Sequence, residues 1–117
     1  MVDVRIYQTV IDCEDPPALV AWWREMLGWE AETTHDDWAS IVSPDGGHRI
    51  GFQKVPEHKT VKNRVHLDLA AADEETTARA IEAIGATRRW VSEDPEDHFV
   101  VLADPEGNEF CIVRAPS

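Results

Sequence analysis

The order of predicted elements in the first half of this 117-residue chain recurs in the second half. Each half contains a strand, an acidic helix start, an amphipathic helix that ends at a glycine, and three further strands. The helix-ending glycines are Gly28 and Gly85, and matching Pro-acid-Gly turns lie at 43–46 and 104–107. Such internal similarity constrains the architecture more than any single motif. It predicts an α+β fold of two tandem βαβββ modules, forming a curved mixed sheet around a cleft with the helices outside.

Alternation, capping residues and turns set the predicted boundaries. Asp15, followed by two prolines, begins a helix whose apolar stripe runs from Leu19 to Leu27. Asp73 begins the second helix, which runs through Ile84 and is expected to bury Thr77, Ala80, Ile81 and Ile84. A polar linker at 56–62 separates module one, about 1–57, from module two, about 61–117. The predicted strands lie at 2–13, 29–34, 38–43, 48–55, 64–69, 87–91, 98–102 and 108–114.

Composition excludes several classes of partner. A net charge of −12 would repel a nucleic-acid backbone or an anionic membrane, so neither is expected. The chain has no apolar run near the ~20 residues needed to cross a bilayer and no signal-like start. Its two cysteines are too few for a disulfide framework and are expected to be buried thiols. A cytoplasmic protein is expected.

Side chains alternate across a sheet, so each strand has one face for the helices and one for the cleft. The first and last strands of each module are expected to pack apolar side chains, Val65 and Phe110 among them, against the helices. Their opposite face is polar, which suits a small polar or charged ligand. The predicted site residues on that face are Gln8, Gln53, Arg64, His66, Asp68, Glu109 and Cys111.

His66 and Glu109 are the predicted catalytic candidates. His66 is either a general base or metal ligand, or a wall histidine bonded to Asp68 or Glu109. Glu109 is either functional, solvated or paired with Arg64. Cys111 has no evident positive neighbour to activate it, so it is not expected to be a nucleophile. The other histidines, His98 included, are expected to be solvated. Trp38 and Trp90 could line a ligand site or a subunit contact, with a core position favoured.

The chain resembles the vicinal oxygen chelate superfamily, which includes glyoxalase I, bleomycin-resistance proteins and extradiol dioxygenases. The resemblance runs from end to end and is most specific at the closing segment 102–110, Leu-Ala-Asp-Pro-Glu-Gly-Asn-Glu-Phe. Segments 11–16, 26–29, 51–53 and 63–68 add to it and are similar to the glyoxalase-like branch. The resemblance implies the paired-module fold and, as in many relatives, a homodimer.

In metal-dependent relatives, each module supplies ligands from its first and last strands. The resemblance places those positions at Gln8, Gly51, Arg64 and Cys111. Glycine has no ligand atom in its side chain, and an arginine does not coordinate a divalent cation. We therefore predict no typical glyoxalase I metal site and no cofactor. A displaced site formed by His66, Gln53 and Glu109 is the alternative.

Three functional hypotheses follow. The first is binding of a small polar metabolite or drug-like ligand in the cleft without a metal, as in bleomycin-resistance proteins. The second is a lyase or isomerase of a small oxygenated metabolite, with His66 as general base and Glu109 or Arg64 orienting the substrate. The third is a non-catalytic accessory or interaction module. The residues are compatible with an enzyme and with a binding protein.

Overall fold

The computed structural model describes residues 2–115 and contains the predicted two βαβββ modules. The chain forms two units that divide between His58 and Lys59, called module one and module two below. Module one consists of β1 (Thr9–Cys13), α1 (Pro16–Leu27), β2 (Glu30–Thr34), β3 (Trp38–Val42) and β4 (Arg49–Lys54). Module two consists of β5 (Asp68–Ala71), α2 (Glu74–Ala83), β6 (Thr87–Val91), β7 (Phe99–Ala103) and β8 (Glu109–Arg114).

Module one is a four-stranded mixed sheet in the order β1-β4-β3-β2, with only β1 and β4 parallel. Asp15 caps α1 as predicted, because its carboxylate accepts the Ala18 amide at 3.2 Å. Gly28 ends the helix with a φ of 72°, a left-handed conformation that glycine adopts without steric cost. The helix covers one face of the sheet, where Trp23 packs against Phe52. The opposite face is called the open face below.

Module two repeats this arrangement in the order β5-β8-β7-β6, with β5 and β8 parallel. The Asp73 carboxylate accepts the Thr76 amide at 2.9 Å and caps α2. The helix buries Ala78 and Ile81, whereas Ala80 is exposed, so that part of the predicted stripe is wrong. Neither helix in the described chain is long and apolar enough to cross a membrane. Both cysteines are buried free thiols, as predicted.

Two predicted strands begin too early. β1 starts at Thr9 rather than residue 2, so Gln8 lies just outside it. β5 covers 68–71 rather than 64–69, so Arg64 and His66 precede it. Val65 is 80% exposed, so the prediction that it is buried against a helix is wrong. Alternation alone suggests a strand, but a strand exists only where a neighbour supplies hydrogen bonds, and the pairing with β8 begins at Asp68.

Two further predictions about single side chains are wrong. Trp90 is not in the core: it is 57% exposed, beside an irregularity in the β6–β7 pairing, with its ring 5.3 Å from that of Phe99. His98 is not simply solvated, because it is half-buried and its Nδ1 lies 2.8 Å from the Glu74 carboxylate. Both residues lie where the sheet of module two meets turns or outer edges, which a one-dimensional pattern does not reveal.

The helix caps give a firmer alignment of the two modules than the strand patterns do. Gln8 and His66 both stand seven residues before the capping aspartate. By the same count Asp12 matches Ala70, and Asp68 matches Val10. In the sheets, Gly51 pairs with Val10 and Cys111 pairs with Asp68, which makes Gly51 and Cys111 equivalent. The two modules therefore have the same strand pairing and differ in the side chains at equivalent positions.

Candidate functional site

His66, Asp68 and Cys111 form a polar cluster in module two, called the His66 cluster below. Asp68 begins β5 and pairs in register with Cys111 of β8. The Cys111 amide donates to the Leu67 carbonyl at 2.9 Å, which fixes the chain just after His66. Phe110 and Ile112 are buried in the core, so alternation places Cys111 on the open face of the module. The parallel pairing of β5 and β8 thus brings the three side chains together.

The cluster is compact and carries complementary groups. His66 Nε2 lies 3.2 Å from Asp68 Oδ1, a separation at which the carboxylate can accept the Nε2 proton. One potential ligand atom from each of the three residues lies within 4.8 Å of the others. His66 and Asp68 are exposed, whereas Cys111 is buried. The imidazole and the carboxylate are therefore accessible, and the thiol forms the floor beneath them.

Burial raises the pKa of the Cys111 thiol, and the negative charge of Asp68 raises it further. The positive charge of Lys62 opposes these effects, but it is weaker than either. A thiol with a raised pKa is a poor nucleophile at neutral pH because little thiolate is present. The expectation that Cys111 is not a nucleophile stays a prediction. In the protonated form it can donate a hydrogen bond to Asp68.

Glu109 lies two residues before Cys111 on β8 and on the same open face. Its carboxylate is largely buried and approaches two lysines, with Lys62 Nζ at 3.5 Å and Lys59 Nζ at 3.8 Å. Its carbonyl accepts the Asn63 side-chain amide at 3.3 Å, and the Asn63 Oδ1 is buried without a partner among the described residues. The cations beside the Glu109 carboxylate are thus Lys59 and Lys62, whereas the sequence suggested Arg64.

The other predicted site residues do not join this cluster within module two. Arg64 is exposed in the segment before β5. Gln8 and Gln53 belong to module one, where Gln53 is exposed on β4 and Gln8 is half-buried just before β1. Gln8 comes directly before Thr9, which pairs with Ile50 of β4. On the other side of Gln8, the centre of the Tyr7 ring lies 5.2 Å from the Arg49 guanidinium.

Sequence reasoning missed two parts of these surfaces. Lys59 and Lys62 fall in a segment interpreted as a polar linker, and their spacing gives no sign of a shared carboxylate. The benzene end of the Trp38 indole occupies the place of a Cβ on Gly51, 2.2 Å from where that atom would lie. A glycine inside a strand does signal close approach of another group, but it does not say which group approaches.

The family model described as "Glyoxalase-like domain" matches residues 8–113, nearly the whole chain. The chain belongs to the glyoxalase-like domain family. No curated protein matches this glyoxalase-like domain in sequence. Among solved structures it is similar to the bleomycin-binding protein of Streptomyces verticillus complexed with copper(II)-bleomycin, with 22% identity and a TM-score of 0.68. That alignment covers 99% of this chain and 100% of the other.

Two other structures show the same fold. The fosfomycin resistance protein FosX of Listeria monocytogenes, an E126Q mutant complexed with Mn(II) and 1S,2S-dihydroxypropylphosphonic acid, has a TM-score of 0.79 at 11% identity. The alignment covers 99% of this chain and 93% of FosX. A glyoxalase/bleomycin resistance protein/dioxygenase family enzyme of Burkholderia phytofirmans has a TM-score of 0.73 at 20% identity, covering 93% and 97%. At these identities the likeness establishes the fold of the glyoxalase-like domain.

The metal expected in metal-dependent relatives can be tested against the side chains present. The cap alignment makes His66, rather than Arg64, the counterpart of Gln8. The ligand position placed at Arg64 above therefore moves to His66, with Cys111 as the second position of module two. With Asp68 they offer nitrogen, sulfur and oxygen donors, a set that suits Zn²⁺ and other transition ions. A bound ion would supply Lewis acidity there. In module one, the Trp38 indole occupies the space beside Gly51, so that position has no ligand side chain and the residues present do not reproduce the four-position site of the metal-dependent relatives.

Proposed function

We propose that this glyoxalase-like domain binds a small polar metabolite or drug-like ligand through the His66 cluster, without a resident metal. The observation that carries the proposal is the exposed pair of His66 and Asp68, 3.2 Å apart, above the buried Cys111 thiol. An imidazole and a carboxylate side by side can donate to and accept from one ligand, which gives a polar molecule both orientation and affinity. The cytoplasmic location and the homodimer remain predictions.

A screen of polar metabolites by thermal unfolding tests this proposal. A true ligand is expected to stabilise the wild type by about 2.7 kcal/mol at a hundredfold excess over Kd. His66→Ala and Asp68→Asn should remove most of that stabilisation, because each loses one of the two polar partners. His58→Ala is the matched control, since His58 and Glu14 form another exposed histidine–carboxylate pair, at 2.8 Å.

A ligand that stabilises the wild type, His66→Ala and Asp68→Asn equally would contradict binding at the His66 cluster. Repeating the titration after dialysis against EDTA tests the metal-free part of the proposal. We expect the same affinity before and after dialysis. Loss of binding together with release of stoichiometric metal would instead show that His66, Asp68 and Cys111 hold an ion.

A second candidate function, proton abstraction by His66, is favoured by the same short distance. If Asp68 accepts the Nε2 proton, the Nδ1 lone pair is left to take a proton from a substrate carbon next to a carbonyl. The carboxylate would also stabilise the imidazolium that forms. This corresponds to a lyase or isomerase acting on a small oxygenated metabolite.

Hydrogen exchange in the substrate tests proton abstraction directly. Small α-hydroxyketones incubated with the protein in D₂O should exchange the C–H next to the carbonyl, followed by NMR. General-base catalysis contributes roughly 10²–10⁴-fold, so His66→Ala should slow the exchange by about that factor. His58→Ala should leave the rate unchanged. Equal rates for the wild type and His66→Ala would exclude His66 as the base.

A further inference from the structure

The contact between Trp38 and Gly51 creates an aromatic surface on module one. Trp38 and Gly51 lie on neighbouring strands, β3 and β4, and Gly51 pairs with Ser40. Ala39, Ile41 and Phe52 are buried on the helix-covered face, so alternation places Trp38 and Gly51 on the open face. The half-buried indole therefore lies along the sheet, over the one position that lacks a side chain.

The surroundings of this indole define the surface that a ligand would meet. Trp38, Gln53 and Asp12 are paired across three neighbouring strands, in one row. Val10 pairs with Gly51 in the next row and is 44% exposed. With strands about 4.8 Å apart, the row spans about 10 Å, which matches a bicyclic ring system. We call this surface, made of Val10, Asp12, Trp38, Gly51 and Gln53, the indole platform.

The charge of the indole platform is negative. Within residues 2–115, Asp12 is exposed and its carboxylate makes no hydrogen bond or ion pair. Arg49, a cation on the same face, donates two hydrogen bonds to Glu32, of 2.8 and 2.5 Å, so its charge is neutralised there. A carboxylate beside an indole attracts a cation, since the ring face also carries negative charge density. The whole chain, with a net charge of −12, adds to that attraction.

We propose that the indole platform is a binding site for planar aromatic cations, stacked on Trp38 and paired with Asp12. The Gln53 amide would bond a polar edge of the same molecule, and Val10 would cover its apolar end. This site lies in module one and does not depend on the ligand proposed for the His66 cluster. Module two does not repeat this charge, because Ala70 stands there where Asp12 stands in module one.

Binding of N-methylquinolinium, followed by NMR, tests the proposal on the full chain. The protein has five tryptophans, and the indole N–H signal of Trp38 is the one missing from Trp38→Phe. We expect this signal to shift and saturate on titration, while that of the exposed Trp90 stays in place. Trp38→Leu should weaken binding about tenfold, because it removes the ring and keeps an apolar side chain. Trp38→Phe should restore part of the affinity, and Trp90→Phe is the matched control.

Two further comparisons test the chemical class. Asp12→Asn should weaken binding of N-methylquinolinium about threefold and leave binding of neutral quinoline unchanged. N,N-dimethylpiperidinium, a cation without an aromatic ring, should bind more weakly than N-methylquinolinium. Equal affinity for the two cations, equal affinity of the wild type and Trp38→Leu, or no shift of the Trp38 signal at millimolar probe would overturn the proposal. The remaining tryptophan signals report whether each variant is folded.

Discussion

Replacing Trp23 by Ala should lower the free energy of unfolding by about 3–5 kcal/mol, the range for a large aromatic side chain removed from a packed core. Trp23 is 1% exposed, and its ring packs 5.7 Å from that of Trp22 and 6.3 Å from that of Phe52. It joins α1 to β4, so its loss would leave a cavity between the helix and the sheet of module one. Urea unfolding followed by far-UV circular dichroism measures the effect without relying on tryptophan fluorescence.

Trp90→Ala is the matched control for this experiment. Trp90 is the same residue type but is more than half exposed, so its removal creates little cavity and should cost less than about 1 kcal/mol. The prediction is that Trp23→Ala lowers the free energy of unfolding more than Trp90→Ala does. If Trp90→Ala were as destabilising as Trp23→Ala, the packing described for module one would be wrong.

Replacing Glu74 by Gln is the second change with a large expected effect. The Glu74 side chain is 5% exposed at the start of α2, and it contacts His98 at 2.8 Å and Arg114 at 2.9 Å. Backbone hydrogen bonding at the helix start and then Arg114 hold the pKa of this carboxyl below its usual value. Glu74 thereby links the start of α2 to His98, directly before β7, and to Arg114, at the end of β8. A neutral amide would leave Arg114 and His98 without their shared anion.

The pH dependence of this effect has a defined sign. A carboxylate whose pKa is lowered by folding stabilises the protein above its unfolded-state pKa, and this contribution is lost as the pH falls through the lowered folded-state pKa. Wild type and Glu74→Gln should therefore differ most above the usual value of 4.5 and converge in more acidic solution. Glu75→Gln is the control, because Glu75 lies in the same helical turn with a more exposed side chain. Equal stability of the three proteins at neutral pH would contradict the role of Glu74.

Glu74, His98 and Arg114 also line a cavity of about 560 Å³ in module two. Both carboxylate oxygens of Glu74 are already used by His98 and Arg114. Glu74, His98 and Arg114 are thus engaged with one another, which fits a structural contribution from these three side chains. The sequence pattern did not predict the contact of His98 with Glu74, because the two residues are 24 positions apart along the chain.

The repeat was sufficient to predict the architecture, because caps, glycines and turns act locally. Asp15, Asp73 and Gly28 begin or end helices through contacts within a few residues, and the structure has them in those roles. Strand starts depend on distant partners instead. Arg64 and His66 alternate as a strand would, yet the neighbouring strand β8 begins its pairing only at Asp68.

The candidate site was predictable as a set of residue types and less so as an arrangement. The proximity of His66 to Asp68 follows from their spacing, since residues two apart near a strand point to the same side. Residue spacing does not predict that Lys59 and Lys62 approach Glu109, or that the Trp38 indole lies over Gly51. Both depend on the direction of long side chains, which strand alternation leaves undetermined.

The parallel pairs β1–β4 and β5–β8 bear on how each module assembles. Thr9 meets Ile50, and Asp68 meets Cys111, across roughly forty intervening residues. The hairpins β3–β4 and β7–β8 close over far shorter loops and can form earlier on the folding pathway. In each module the first strand is thus an edge strand whose pairing requires the longest loop closure. Asp12 in one module and Asp68 in the other lie on these edge strands, so a ligand held by either carboxylate would also favour the paired state of its strand.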